Sequence, residues 1–208
     1  MNRQRKNRSK TPNKGKGKEI NKKSDINDYI KIKREDYTKY YEVKGRISKG
    51  LFGVVYKGIN RKSKAKIAIK IIDTDVQNFD YYIKYLKNEL NSMYICSQQN
   101  QNSVKYYDHF YHNHKFAIVM ELCDNSLQKI LDKQKKGFTC DQIYEIMSQL
   151  NNTFKIMNKN KIAHRDIKLD NILIKYKDNN KNDPNINFIV KLTDYGISKQ
   201  LKNTINTT

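Results

Sequence analysis

A chain of 208 residues is long enough for one domain or for two small lobes. Its 42 Lys and Arg outnumber 21 Asp and Glu, for a formal net charge of +21. The longest apolar runs, such as residues 116–120, are too short to cross a membrane, and the N-terminus lacks the apolar stretch of a secretory signal. Three widely spaced cysteines argue against a disulfide framework and predict an intracellular protein, cytoplasmic or nuclear.

The N-terminal segment, residues 1–25, is predicted to be a disordered basic arm. Its first 23 residues contain ten Lys or Arg and one acid, with no aromatic residue, so they cannot bury enough apolar surface to offset their conformational entropy. Such an arm can contact nucleic acid or another anionic surface. A solvated tail without a specific partner is the favoured interpretation. Residues 26–39 form a lead-in to the first strands.

The next part of the chain is predicted to be rich in β-strands. Residues 40–48, 53–59 and 65–72 have the β-branched, roughly alternating pattern of strands, and two more strands follow within 103–110 and 115–120. Between these groups, residues 77–93 contain no Pro or Gly and repeat apolar side chains at helical spacing, at Ile83, Leu86, Leu90 and Met93.

The pattern changes near residues 123–125, after which helices are predicted. Residues 126–134 form a short amphipathic helix, and Thr139 with Gln142 forms a capping box. The helix that this box opens carries one apolar stripe, made of Ile143, Ile146, Met147, Leu150, Phe154 and Met157. Strands are predicted again at 172–176 and 188–192. Strands followed by helices indicate an α+β fold with two lobes.

The stretch HRDIKLDN, residues 164–171, concentrates charged and amide side chains in one loop between a helix and a strand. A carboxylate at Asp166 can accept a proton from a hydroxyl nucleophile. The amide oxygen of Asn171 can ligate Mg²⁺, which prefers oxygen ligands. Lys168 can neutralise a phosphoryl oxygen as charge develops in the transition state.

Three other features have an ordinary structural explanation and a functional one. Asp194, followed by Tyr195 and Gly196, fits either a turn or a second metal ligand beside Asn171. Residues 47–55 fit a plain hairpin or a loop whose glycines let backbone amides approach phosphate oxygens. Lys70 fits either a solvated strand residue or a buried cation paired with Glu89 in the predicted helix.

Taken together, these motifs resemble a eukaryotic protein kinase of the Ser/Thr type over residues 40–201. In chain order they are a Gly-rich loop, a strand Lys, a helix Glu, an H-R-D-x-x-x-x-N loop and a D-x-G turn. The resemblance implies a bilobal fold, with a complete small β-rich lobe at 40–123. The first part of a helical large lobe follows at 124–208 and ends in the activation segment.

The resemblance also implies roles for individual residues. Asp166 would be the catalytic base, helped by Lys168, and Mg²⁺ would be held by Asn171 and Asp194. ATP would be contacted by Ile47, Ser48, Lys49, Gly50, Phe52, Gly53, Val55, Ala68, Lys70, Glu89, Met120, Glu121, Cys123 and Leu173. The partner would be a protein substrate that carries Ser or Thr.

The chain departs from the family pattern in three places. Ser48 stands at the first glycine position of the Gly-rich loop, and Tyr195 replaces the usual Phe of D-F-G. No A-P-E segment follows Asp194, so a C-terminally truncated kinase domain is expected. This leaves two alternatives open. One is a truncated or pseudokinase-like protein that binds ATP without robust catalysis, and the other is a nucleic-acid or membrane-surface protein that acts through the basic arm.

Overall fold

The computed structural model describes residues 31–50, 53–74, 79–177, 188–195 and 199–200. The predictions about the basic arm and about Phe52 lie outside the described residues, as do the first residues of the lead-in. No helix in the described ranges combines the length and apolar character needed to cross a membrane.

The first part of the chain forms a five-stranded antiparallel sheet with the order β1-β2-β3-β5-β4. The strands are β1 Tyr41–Gly50, β2 Gly53–Asn60, β3 Lys66–Asp73, β4 Tyr106–His112 and β5 Lys115–Glu121. Each strand predicted in this region is present, and β1 continues two residues beyond its predicted end. The lead-in contains one short 3-10 turn, Tyr37–Lys39, whose first residue follows the capping side chain of Asp36.

Alternation along the strands gives this sheet two buried faces. Ala68, Ile72 and Ile118 belong to the larger core, whereas Ile69 and Val119 belong to a smaller core on the opposite face. Because successive side chains of a strand point to opposite faces, Lys70 lies on the same face as Ala68 and Ile72. That face is covered by a helix.

The covering helix is α1, Phe79–Gln99, which connects β3 to β4. Its predicted apolar stripe is confirmed: Leu86, Leu90 and Met93 are buried, and Ile83 packs against the same core. The helix runs six residues past its predicted end, where Cys96 is also buried. This extension continues the apolar stripe by one turn.

The described residues of the second part of the chain form two α-helices and five more strands, all of them short. The helices are α2 Leu127–Gln134 and α3 Cys140–Lys159, and the strands are β6 Asn125–Ser126, β7 Ile162–Ala163, β8 Ile172–Tyr176, β9 Phe188–Leu192 and β10 Lys199–Gln200. Strands β6, β8 and β9 form one antiparallel sheet, and β7 pairs with β10. The predicted α+β class is therefore confirmed.

Helix α3 confirms its predicted start but only part of its predicted apolar stripe. The Thr139 side chain accepts from the backbone of Gln142, whose own side chain accepts from the backbone of Thr139, as expected of a capping box. Ile146, Leu150 and Met157 are buried, but Ile143 and Met147 are 49% and 53% exposed. The difference arises because β9 meets α3 at Gln149, which hydrogen-bonds the backbone at both ends of residues 188–190.

The segment that follows α1, residues 100–104, joins the two parts of the molecule. Asn102 accepts from the backbone N–H of Leu192 at 2.9 Å and from the hydroxyl of Thr153 at 2.8 Å, both through its carbonyl oxygen. Its side chain donates to the carbonyl of Val190 at 2.9 Å. The backbone N–H of Val104 then donates to the carbonyl of Leu192 at 2.9 Å. Strand β9 is thus fixed to the end of α1, and it carries the residues before Asp194.

Candidate active site

Lys70 and Glu89 form a buried ion pair between β3 and α1. The ammonium of Lys70 lies 2.7 Å from Oε1 of Glu89, and the two residues are 6% and 5% exposed. Lys70 stands opposite Val55 on β2 and Ile118 on β5, so its strand holds it on both sides. The pair that the sequence left open is present, and the solvated alternative for Lys70 is wrong.

Asp194 joins this pair from the second part of the chain. Its Oδ1 lies 3.0 Å from Nζ of Lys70. Burial alone would lower the pKa of the Lys70 ammonium, but the charges of Glu89 and Asp194 outweigh burial and raise that pKa. One permanently charged lysine therefore faces two carboxylates. We call these three side chains the Lys70 cluster.

The loop at 164–171 gathers its polar groups around Asp166. Nζ of Lys168 lies 2.8 Å from Oδ2 of Asp166. The Asn171 amide donates to the same oxygen at 2.9 Å and to the Asp166 carbonyl at 2.8 Å. The hydrogen bond from Lys168, followed by the one from Asn171, lowers the pKa of Asp166 below its usual range. Asp166 is therefore an ionised carboxylate that can accept a proton from a hydroxyl group.

His164 connects this loop to Asp194. The ring is buried; its Nδ1 accepts from the backbone N–H of Asp166 at 3.3 Å, so the proton lies on Nε2, which donates to the carbonyl of Thr193 at 3.0 Å. Burial lowers the pKa of His164, which favours this neutral tautomer. The ring also packs against Tyr195, with centroids 5.0 Å apart. His164 is thus a positioning residue.

Asn171 and Asp194 are also held near each other by the backbone. The N–H of Thr193 donates to the carbonyl of Asn171 at 3.0 Å, one residue before Asp194. The side-chain nitrogen of Asn171 donates to Asp166, and its amide oxygen has no hydrogen bond to any other described residue, so it can act as an acceptor. A carboxylate and an amide oxygen are ligands that suit Mg²⁺, which also keeps waters and substrate oxygens in its shell. The donor set at these two residues fits that ion.

Six of the residues assigned to ATP contact by resemblance belong to the larger core or pack against it, and we call them the apolar patch. Ala68 and Met120 are buried and stand opposite each other on β3 and β5. Four partly buried side chains pack against that core: Ile47, Val55, Cys123 and Leu173. Burial raises the pKa of the Cys123 thiol to about 12, so this wall of the patch is apolar and uncharged.

The turn between β1 and β2 brings Gly50 and Gly53 together. The two glycines are paired across the strands, as are Ser48 with Val55 and Lys49 with Val54. Gly53 has a φ of +131°, and a Cβ there would lie 2.5 Å from the carbonyl oxygen of Ile71. A hairpin is therefore present, and Gly53 is the glycine that its backbone requires. Leu51 and Phe52 lie outside the described residues.

A second ion cluster surrounds Glu121, for which the sequence predicted only a contact with ATP. Nζ of Lys191 lies 2.8 Å from Oε2, and Nζ of Lys175 lies 2.8 Å from Oε1. Lys191, 5% exposed, also donates to the carbonyl of Gln101 at 2.7 Å. Hydrogen bonds from both lysines outweigh burial and lower the pKa of Glu121. We call Glu121, Lys175 and Lys191 the Glu121 cluster. Its signal in the sequence was one Lys inside each of two short strands, a pattern typical of exposed residues.

A cavity of about 690 Å³ lies elsewhere, against the smaller core. Tyr41 and Phe110 form part of its wall, together with the charged side chains of Lys33, Arg61 and Asp108. It is therefore on the opposite side of the sheet from the Lys70 cluster, and its walls contain no residue of that cluster.

Known proteins match the chain over most of its length. The sequence profile of the protein kinase domain matches residues 41–208. Calcium-dependent protein kinase 5 of Plasmodium berghei is 31% identical over 184 residues, which are 87% of this chain and 30% of that protein. Serine/threonine-protein kinase dst1 of Dictyostelium discoideum is 30% identical over 177 residues, 85% of this chain and 22% of that protein. Cyclin-dependent kinase-like 1 of Caenorhabditis elegans is 32% identical over 166 residues, 79% of this chain and 43% of that protein.

With this fold, this arrangement of charged residues and these matches, the chain belongs to the protein kinase family. It spans less than half the length of each of the three relatives. Members of the family use ATP, usually with Mg²⁺, and act on protein substrates.

Proposed function

We propose that this chain carries out ATP-dependent phosphorylation of Ser or Thr in proteins. One observation carries the proposal: His164 and Asn171 tie the Asp166 loop to the Lys70 cluster through the backbone of Thr193. A proton acceptor and a phosphate-binding cation are thereby held in one framework. Catalysis of phosphoryl transfer requires little more than such positioning and electrostatic stabilisation.

In this proposal Lys70 exchanges its contact with Asp194 for the α- and β-phosphates of ATP and keeps its pair with Glu89. Asp194 and Asn171 then hold Mg²⁺, which neutralises phosphate charge when bound. The adenine lies against the apolar patch, near the backbone at Glu121 and Cys123. The phosphates are covered by the turn that contains Ser48, Lys49, Gly50, Phe52 and Gly53. The metal and nucleotide assignments are supported by the oxygen ligands and by the buried ammonium described above.

The chemical step assigned to Asp166 is proton acceptance. The substrate hydroxyl oxygen forms a bond to the γ-phosphorus of ATP, the bond between that phosphorus and the β–γ bridging oxygen breaks, and ADP leaves. The hydroxyl proton moves to the carboxylate of Asp166. Lys168, 2.8 Å from that carboxylate, offsets the charge that gathers on the transferred group. A Lys at this position is the reason for proposing Ser and Thr as acceptors.

The proposal extends to organisation and location. Residues 40–123 form the small lobe and 124–208 the first part of the large lobe, with the activation segment after Asp194, and residues 1–25 are a basic arm. The three cysteines are free, which supports an intracellular location, cytoplasmic or nuclear. Contact of the arm with nucleic acid or an anionic surface remains a secondary proposal, and a salt titration with the arm deleted tests it.

The main test replaces Asp166 by Asn. We expect phosphoryl transfer to a Ser/Thr peptide to fall by about 10²- to 10⁴-fold, the usual contribution of a general base, while Mg-ATP still raises the melting temperature. Asp170→Asn is the matched control, since Asp170 is an exposed carboxylate of the same loop, and it should keep its rate. Wild-type protein that binds Mg-ATP and transfers no phosphate would favour the ATP-binding alternative. Undiminished transfer by Asp166→Asn would remove Asp166 as the base.

A further inference from the structure

Tyr195 differs from the phenylalanine of the family pattern by one hydroxyl group, and this hydroxyl is buried. The side chain is 0% exposed. A buried hydroxyl without a partner is costly, so its surroundings decide whether the substitution stabilises or destabilises this position. The hydroxyl lies 2.9 Å from Oγ of Ser103, and the thiol of Cys96 interacts with it as well. Both partners lie at the end of α1 or just after it.

Ser103 is itself held in place relative to β9. It is 1% exposed and forms a parallel β-bridge with Leu192. Its neighbours Asn102 and Val104 exchange two backbone hydrogen bonds with Leu192, each 2.9 Å long. Leu192, with which this segment pairs, precedes Tyr195 by only three positions in the sequence. The hydroxyl of Ser103 is therefore a fixed partner for the hydroxyl of Tyr195.

Asp194, between the anchor and Tyr195, has an unfavourable backbone conformation. Its φ is 62°, in the left-handed region, and such a residue persists when its surroundings over-determine it. His164 hydrogen-bonds the carbonyl of the preceding residue, Thr193. The following residue, Tyr195, is held by packing on His164 and by the hydrogen bond of its hydroxyl to Ser103. The orientation of the Asp194 carboxylate therefore depends on how the residues before and after it, Thr193 and Tyr195, are held.

We propose that Ser103 is a positioning residue of the active site: by bonding the Tyr195 hydroxyl it keeps Asp194 directed at Lys70 and at the metal position. A phenylalanine at position 195 would lack this hydrogen bond to Ser103. The inference rests on the proposed function where it concerns the metal, but the hydrogen bond and the conformation it stabilises exist without any ligand.

The test compares Ser103→Ala, Tyr195→Phe and the double variant in the full chain. The first readout, without ligand, is hydrogen exchange of the Thr193 amide, which donates to Asn171. Ser103→Ala leaves a buried hydroxyl short of a partner, and we expect exchange about tenfold faster. Tyr195→Phe removes that hydroxyl, so adding Ser103→Ala to it should have little further effect. The Thr193 exchange rate of the double variant should lie within about twofold of the rate of Tyr195→Phe alone. Unchanged exchange in Ser103→Ala, or no recovery in the double variant, would overturn the inference.

The second readout is the Mg²⁺ concentration that gives half of the ATP-dependent rise in melting temperature. Ser103→Ala should raise it about tenfold with the same recovery in the double variant. Thr153→Val is the matched control, because Thr153 is a buried hydroxyl that bonds the same segment through Asn102 and has no contact with Tyr195 among the described residues. It should lower stability and leave the Mg²⁺ requirement and Thr193 exchange unchanged; a shift as large as that of Ser103→Ala would overturn the inference. Wild-type protein that shows no response to Mg-ATP would contradict the proposed function, and the exchange experiment would still decide the role of Ser103.

Discussion

Among the described residues two lysines are buried, Lys70 and Lys191, and they have nearly the same exposure and opposite charge surroundings. Lys70 is 6% exposed and faces two carboxylates, whereas Lys191 is 5% exposed and shares one carboxylate, Glu121, with a second lysine. The Lys70 cluster therefore carries one negative charge in excess, and the Glu121 cluster one positive charge. Burial alone does not distinguish the lysine proposed to bind a ligand from the other one.

The difference lies in which groups remain available. In the Glu121 cluster both carboxylate oxygens accept from lysines, and Lys191 also donates to the Gln101 carbonyl. In the Lys70 cluster Asp194 is part-exposed and its bond to Lys70 is the longer of the two. An excess negative charge open to solvent attracts a cation such as Mg²⁺, and a lysine with a second, looser partner can exchange that partner for phosphate. The Glu121 cluster connects chain segments, and the Lys70 cluster fits the ligand-binding role proposed for it.

The largest expected effect is that of Lys70→Met. It leaves Glu89 buried without its cation, which costs about 3–5 kcal/mol of unfolding free energy when a buried pair is broken. It should also abolish the rise in melting temperature with Mg-ATP, which a ligand specific for the native state otherwise produces. Urea unfolding and thermal shift measure the two effects. The control is Lys66→Met, an exposed lysine of the same strand. A ligand shift equal to that of the wild type would take Lys70 out of the site.

Lys191→Met should have the next largest effect, and it should lower stability without removing the response to Mg-ATP. Glu121 keeps Lys175 as a partner, so the loss is that of one charged hydrogen bond at a buried position, about 1.5–3 kcal/mol. The rise in melting temperature with Mg-ATP should persist. Lys175→Met is the matched variant: its side chain is 40% exposed, and we expect a loss below about 1 kcal/mol. If Lys191→Met abolished the response to Mg-ATP, the distinction between the two clusters would fail.

The third prediction concerns the pH dependence of stability. The pKa of Glu121 is lower in the folded chain than in the unfolded chain, so its contribution to stability is present above the unfolded pKa and is lost as pH falls toward the folded pKa. The wild type should therefore lose stability on acidification more steeply than Glu121→Gln, and the two should converge at low pH. Urea unfolding from pH 7 into the acid range measures this. Parallel curves for the two proteins would contradict it, and Glu145→Gln, an exposed carboxylate on α3, is the control.

The smallest effect is expected at the exposed pair of Lys168 and Asp166. The hydrogen bond from Lys168 is the largest cause that lowers the pKa of Asp166. Replacing Lys168 by Met lets that pKa rise, so the acid limb of the pH–rate profile should move to higher pH. The displacement should be small because solvent screens an exposed pair. Measuring kcat of the wild type and the variant across pH shows this displacement. A shift of the acid limb to lower pH would contradict the prediction.

The sequence predicted those features that depend on local pattern or on a shared motif. The capping box at Thr139 and Gln142 is a local hydrogen-bond pattern, and the α1 stripe is a periodicity; both are confirmed. The Lys70–Glu89 pair was recoverable because a buried strand lysine needs a carboxylate, and the following helix offered one. Local reasoning was sufficient where the partner lies in the next element.

The features that sequence reasoning missed depend on partners far along the chain. Lys191 occurs in a Lys-rich chain and its carboxylate belongs to residue 121, so nothing local distinguishes it from a solvated lysine. The hydroxyl of Tyr195 meets Ser103 only because the 100–104 segment pairs with β9. Ile143 and Met147 lie on the predicted stripe of α3 but are exposed, whereas β9 is hydrogen-bonded to α3 at Gln149. In each case the tertiary partner, and not the periodicity, decides burial.

The strand order β1-β2-β3-β5-β4 also constrains how the first sheet assembles in time. Three of its four pairings join strands that are consecutive in the chain, and these hairpins can close over short loops. The pairing of β3 with β5, which places Ile69 opposite Val119, must wait until α1 and β4 have been accommodated between them, and closing that longer loop costs more chain entropy. Since rates of folding fall as contacts become less local, we expect the pairing of β3 with β5 to limit the rate at which the sheet forms. Lys70 belongs to the β3–β5 pairing, opposite Ile118, so this lysine would reach its final surroundings in the last step of sheet assembly.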